Sequence, residues 1–497
     1  MKLHRLLALA LCGCLLMSGC QKADDDTPSP DSPAPSGPSA SPDETHTRAA
    51  LCYSAADTLD PYQAQTRVNR ELTPLLYEGL TNAEKDWTVT NELAASVEQT
   101  DPTHLQVTLR QDAKFSDGSA VTPADIIASL KLAKASGAYE ELVANIRSID
   151  KKLLVTLATA DTVNPQAALS FPIVRREKTA VLGTGLYMSD TETDALIANP
   201  HHPVKPTTTR WELADITERK DMRYALSAGN IALYTTDLTD SQTPAISGDV
   251  RQETVTLNHL IYLGVSAKQP YAAAEFRAGL SAALDRTTLC SNGFAGYATP
   301  ATTPFIPTWK PSAALSGASV SENIEQTIEK WKVLGYNNLD NGSTSAGQKE
   351  LPQPELLVCK DNAFHVSAAN LIADQLGRAG LTVTVKAEKE SDYRARVQSG
   401  RFDLYLGEIR LANDNNLRPW LTAYGIASAG VPTEAKTAYS AYLAGETSLA
   451  DFNLAFTESW PFIPLAWRVG AVICASSLQG LSLSGSDFYN GIQHLVL

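Results

Sequence analysis

The sequence predicts an α/β fold spread over more than one domain, on three observations. At 497 residues the chain is longer than one hydrophobic core sustains. Runs with apolar residues at every second position recur along it, separated by stretches with the spacing of amphipathic helices. The two alternate most regularly from Leu356 to Leu406, where strand, helix and strand succeed one another as in a mainly parallel sheet with right-handed crossovers.

The N-terminus reads as an address. Lys2 and Arg5 precede an apolar run, Leu6 to Met17, that is too short to span a membrane. Ser18-Gly19-Cys20 follows and resembles a bacterial lipobox, with Met17 where Leu is usual. The resemblance implies that residues 1–19 are a signal peptide and that Cys20 receives a diacylglyceryl group. Residues 20–48 carry Pro28, Pro30, Pro33, Pro35, Pro38 and Pro42 among Ser, Asp and Ala. Such a segment has too little apolar surface to offset the entropy of ordering, so it is expected to be a disordered tether.

Beyond the tether, His104 to Leu109 alternates as a strand, Asp117-Gly118 makes a turn, and Thr122-Pro123-Ala124-Asp125 opens a helix with a capping box. Leu153 to Leu157 is a further strand. Pro270 to Leu289 has helical spacing, with Phe276, Leu280, Ala283 and Leu284 inward. The βαβ unit comprises a strand at Leu356–Cys359, a helix at about Ser367–Ala379 capped by Gly380, a strand at Leu381–Val385, a short helix at Tyr393–Ser399, and a strand at Asp403–Leu406 ending in Gly407. The polar segment 338–353 reads as a surface loop. Ligands of such sheets bind beyond the carboxyl ends of strands, which singles out the loop from Gly407 to Trp420.

Composition excludes several functions. The net charge of −14 opposes general nucleic-acid binding, which needs clustered cations. Among the motifs of catalysis and nucleotide binding, HExxH, GxSxG, GxxxxGK[ST] and a strand-linked GxGxxG do not occur. His201-His202 lacks a third metal ligand nearby in sequence. Asp403 and Glu408 lie on one extended segment but point differently, which disfavours an acid/base pair. Cys52, Cys290, Cys359 and Cys474 are widely spaced without a CxxC pair, and read as isolated thiols. Arg410, Asp414, Arg418 and Trp420 share one loop. They suit a zwitterionic ligand, and equally a solvated loop.

Several blocks together resemble the family 5 solute-binding proteins of ABC importers. They are Leu59-Asp60-Pro61 through Leu75-Leu76-Tyr77-Glu78-Gly79-Leu80, Leu109-Arg110 through Phe115-Ser116-Asp117-Gly118, Val121 to Asp125, and Gly183-Thr184-Gly185-Leu186-Tyr187. Arg277 to Leu280 with Ala283-Leu284-Asp285-Arg286, Gly400 to Leu404, and Trp460 to Leu465 continue the match. Leu186 departs from the family's Pro, and Tyr262-Leu263-Gly264 stands where Phe-Asn is common.

The resemblance implies a two-lobed, periplasmic-binding-protein-like clamshell with two crossover strands. Lobe I is expected at 49–262 and 463–497, with an extra subdomain at about 81–172, and lobe II at 263–462. The function implied is binding without catalysis or cofactor. Its partners would be an oligopeptide or similar small solute, the importer's membrane subunits and, through the lipid, an extracytoplasmic membrane surface. A monomer is expected. In peptide binders an Asp on the loop after the Gly407-type glycine holds the solute's ammonium. Counting back from Trp420-Leu421 gives Asn413 or Asp414, and counting forward from Gly407 gives Leu411. Asp414 is the candidate and Glu408 the reserve, with Gly407, Arg410, Trp420 and Tyr187 beside them and Tyr53 and Asn69 facing the cleft by analogy. Nickel complexes, oligosaccharides, a ligand-less adaptor and an anchored hydrolase are the alternatives.

Overall fold

The computed structural model describes residues 47–137, 142–178, 180–190, 192–238, 248–336, 349–423 and 425–497. The signal peptide, Cys20, nearly all of the tether and most of the loop at 338–353 lie outside the described residues.

The main sheet has the strand order Leu233–Thr236, Phe462–Ala475, Val250–Val265, Leu404–Arg410, Glu355–Cys359, Thr384–Glu388, with Ala298–Pro300 also paired to Phe462–Ala475. Two strands dominate it. Val250–Val265 has 16 residues and Phe462–Ala475 has 14. They run antiparallel from the Val250–Ala475 pair to the Gly264–Phe462 pair, with an irregularity between Thr256 and Leu260.

Each long strand passes from one hydrophobic core to another. Leu260 to Leu263 and Phe462 to Trp467 pack with Phe276, Trp331, Ile372 and Tyr405. Val469, Ala471 and Ile473 pack with Ala50, Cys52 and Met222, while Val472 and Cys474 face Leu51, Leu72 and Trp211. The latter core also takes in an antiparallel sheet, Ala94–Asp101, His104–Leu109, Lys152–Leu157 and Val143–Ile149, covered by the helix Pro123–Ser136. That helix begins as expected. Thr122 and Asp125 form the capping box, and Gly118 ahead of it takes φ 85°.

Three expectations need correction. The sheet is mixed: only Glu355–Cys359 makes parallel pairs, with Thr384–Glu388 and Leu404–Arg410. The long strands add antiparallel neighbours because the chain leaves along one and returns along the other. The strand expected at 381–385 occupies Thr384–Glu388, because the Leu381 N–H is taken by the Leu376 carbonyl at 3.0 Å to close the preceding helix. The helix expected over 270–289 is Ala274–Ala282. Asp285 then starts a separate turn by accepting from the Thr288 N–H.

Two buried cations lie on these segments. Arg277 donates to the carbonyls of Tyr271, Trp460, Pro461, Val265, Ser266 and Gly430, at 2.7–3.3 Å. Arg286 does the same for Ala301, Pro464, Ser281 and Ser319 at 3.0–3.1 Å. Burial pulls both guanidinium pKa values down to about 10. Each remains charged at neutral pH and ties segments far apart in sequence.

Cys52, Cys290 and Cys474 are buried free thiols, and Cys359 is half-buried. Burial pushes Cys52 and Cys290 up to about 12, so they are poor nucleophiles.

Candidate functional site

The strand Phe462–Ala475 is buried over its whole length, and Arg468 is its one charged residue. Trp467 before it packs into one core and Val469 after it into another. The neighbouring strand changes core at Asn258 and His259, and His259 pairs in register with Arg410. Charged and polar side chains thus collect where the long strands pass between cores.

Glu408 is central there. One carboxylate oxygen bonds His259 Nδ1 at 3.1 Å and the other bonds His365 Nε2 at 2.9 Å. His365 is presented by the first turn of helix Ala363–Arg378, whose Asn362 cap accepts from the His365 N–H. Burial acts to raise the Glu408 pKa. The bonds from both histidines, with the charges of His365 and Arg468, outweigh it and hold the group well below the usual carboxylate range.

Arg468 is 1% exposed. Its Nη2 donates to the Asp237 carbonyl at 3.1 Å, and its guanidinium lies 5.6 Å over the Phe364 ring. Its Nε stands 3.9 Å from Glu408, too far for a hydrogen bond. Among the described residues neither Nε nor Nη1 has an acceptor. Asp237 pairs with Arg219. Beyond it, Arg67 bonds Glu71 at 2.6 Å and the Thr235 carbonyl at 3.0 Å.

Glu408→Gln checks the electrostatics. The folded-state pKa lies below the unfolded one, so the stabilisation is complete above about pH 4.3 and is lost as pH falls through the folded value. The variant is expected to be less stable by about 3 kcal/mol at pH 7, the scale for breaking a buried pair. In urea titrations the gap from wild type should narrow below pH 4. A gap independent of pH would refute the assignment.

The other residues expected at the site are placed differently. Asp414 is buried and already has a cation. It pairs with Arg418 and accepts from the Asn416 N–H and Nδ2 at 3.0 and 2.8 Å. Arg418 and Asn416 both reach Asp161 as well, at 2.8 and 2.7 Å. Asp414 is therefore part of a buried network rather than a carboxylate awaiting an ammonium. Trp420 stacks on Phe462 at 4.5 Å and belongs to the core. Gly407 serves packing, since a Cβ there would lie 2.5 Å from Tyr262 Cζ. Arg410 is exposed at the strand end.

Tyr187 is fully buried, giving its hydroxyl proton to the Thr208 carbonyl and accepting from Trp211. Burial, with Asp194 nearby, pushes the Tyr53 hydroxyl up to about 12. Asn69 bonds the Ser54 N–H and the Ser54 and Thr58 carbonyls. Tyr187 and Asn69 thus tie backbone segments together. Of the eight residues, Glu408 sits at the centre of the charged cluster and Arg410 pairs in register with its His259.

His202 bonds Glu78 at 3.1 Å, and no group of three metal-ligating side chains occurs among the described residues. Arg468, His259, His365 and Asp237 were missed by sequence reasoning. A lone Arg inside a fourteen-residue apolar strand was the available signal, and the block read at Trp460–Leu465 stopped three residues short of it. Asn415 was missed too: it takes φ 55°, and its buried amide has no partner among the described residues.

Comparison with known proteins identifies the architecture. The model of the bacterial extracellular solute-binding proteins, family 5 Middle, matches residues 88–427, more than half the chain. The glutathione-binding protein GsiB of Salmonella typhi is 27% identical over 278 residues, 49% of this chain and 53% of that protein. The chain thus spans about half the length of this curated relative. NikA from Brucella suis, solved with Fe(III)-EDTA, superposes with a TM-score of 0.68 at 18% identity, over 90% of this chain and 99% of NikA. The oligopeptide-binding protein AppA from Bacillus subtilis, solved with a nonapeptide, gives 0.61 at 16% identity, over 91% and 99%. The fold is the two-lobed one of these binding proteins.

Proposed function

We propose that this chain, which belongs to family 5 of the bacterial extracellular solute-binding proteins, captures a small solute between two closing lobes and delivers it to the membrane subunits of an ABC importer. An oligopeptide is the leading solute class. The observation that carries this reading is the pair of long strands shared by separate cores, with a charged cluster at the crossing. Rotation about such a crossing opens and closes a cleft while leaving each core intact. The lobes are taken to divide near Asn258 and Arg468, where both strands change core, rather than near 262 and 463. The relatives' names and titles support a peptide-like solute: glutathione for GsiB and a nonapeptide for AppA. The protein is proposed to act as a monomer without enzymatic activity.

Mass spectrometry of ligand released from purified protein by denaturation tests capture. Short peptides are the expected finding. X-ray scattering tests closure: adding the released peptide should reduce the radius of gyration and raise the melting temperature. An unchanged scattering curve with a tightly bound peptide would refute the clamshell mechanism here. Anchoring through a lipid on Cys20 is part of the same proposal. Cys20→Ala should abolish acyl labelling, and labelling that persists would remove the anchor from the scheme.

A further inference from the structure

We propose that Arg468 receives the carboxylate of the solute, which makes the solute a short peptide or amino-acid conjugate with a free carboxylate. The inference rests on the binding-protein reading and names the chemical group of the solute that is recognised. A buried guanidinium carries five N–H groups and normally satisfies them. Arg277 and Arg286 do so with carbonyls from several segments. Arg468, equally buried, uses Nη2 on the Asp237 carbonyl, while Nη1 and Nε have no acceptor among the described residues.

The nearest carboxylate does not fill the gap. Both oxygens of Glu408 are held by histidines, His259 on one and His365 on the other. That fixes Glu408 at 3.9 Å from Nε, close enough to balance the charge but not to bond. The cluster therefore offers donors without acceptors, held in place by Phe364 beneath the guanidinium and Asp237 beside it. An anionic oxygen is the natural acceptor for these unpaired donors. The position matters equally: Arg468 stands where the long strand leaves one core for the other, so a group bound there touches the crossing on which closure depends. The carboxylates expected to hold an ammonium, Asp414 and Glu408, are both engaged within the chain. The polarity of recognition at this point is thus the reverse of the one read from the sequence.

The probe is an equimolar library of di- to pentapeptides with free C-termini, set against the same library as C-terminal amides. Each is incubated with ligand-stripped protein, and retained peptide is quantified by mass spectrometry. Wild type should retain the acids at least about 30-fold more strongly than the amides, the low end for deleting one partner of a buried charge pair. Arg468→Met should lose that preference, and Arg468→Lys should restore part of it. Equal retention of acids and amides by wild type would overturn the proposal while leaving the binding function standing, and needs no variant to fold. Retention of neither library would overturn the peptide reading and this inference with it. A preference that survives unchanged in folded Arg468→Met would place the carboxylate elsewhere and also overturn it.

Discussion

Arg277→Met is expected to lower the stability of the folded chain by about 4 kcal/mol or more, among the largest effects for a single substitution. Methionine fills similar space, so little of that loss is cavity. Its source is the set of carbonyls on Tyr271, Trp460, Pro461, Val265, Ser266 and Gly430, which lose a charged donor inside a core that water does not enter. Arg277→Lys should be nearly as damaging. An ammonium is a single point with three donors and cannot span six acceptors from separate segments. Guanidinium chloride titration followed by tryptophan fluorescence checks both variants. A loss below about 1.5 kcal/mol, the value of an ordinary hydrogen bond, would show that the carbonyls find other partners.

The second large effect is expected at Arg418. Its guanidinium lies between Asp161 and Asp414, all three side chains no more than 10% exposed. Arg418→Met leaves two buried carboxylates sharing Asn416 Nδ2 as their common donor, and should cost about 3–5 kcal/mol. Asp414→Asn in the Arg418→Met background should recover part of the loss, because it removes one of the uncompensated charges. Strict additivity of the two single changes in a double-mutant cycle would show that the charges do not act as a unit. The network also ties distant segments together. Asp161 accepts from the Val163 and Asn164 N–H groups, and the next residue, Thr162, donates its N–H to the Leu443 carbonyl at 2.8 Å.

Much of this fold was legible because local physics decides it. The capping box at Thr122, the turn at Gly118 and the strand His104–Leu109 follow from residue type and spacing alone. The long strands were not legible. Val250 to Thr256 is only partly buried and Leu260 to Val265 fully so, so one strand carries two different hydrophobic patterns, and neither period is kept along its length. The candidate site was harder still. Asp414 has the right residue type in the right loop, but the sequence cannot show that Arg418, four residues on, closes back upon it, or that Asp161 arrives from 253 positions away. Arg468 is informative for the opposite reason: nothing near it in sequence is charged, and only the folded sheet brings Glu408 and Asp237 to its side.

The route of the two long strands also sets an order in time. The chain leaves one core along Val250–Val265, builds nearly all of the other, and returns only along Phe462–Ala475. The first core depends on that return. Val472, Cys474, Leu478, Tyr489, Ile492 and Leu495 are all part of it. A polypeptide emerging N-terminus first can therefore complete the inner, contiguous part while the outer part still waits for its last thirty or so residues. The half that is made first is finished last, and until then its apolar surface is exposed to whatever holds the growing chain.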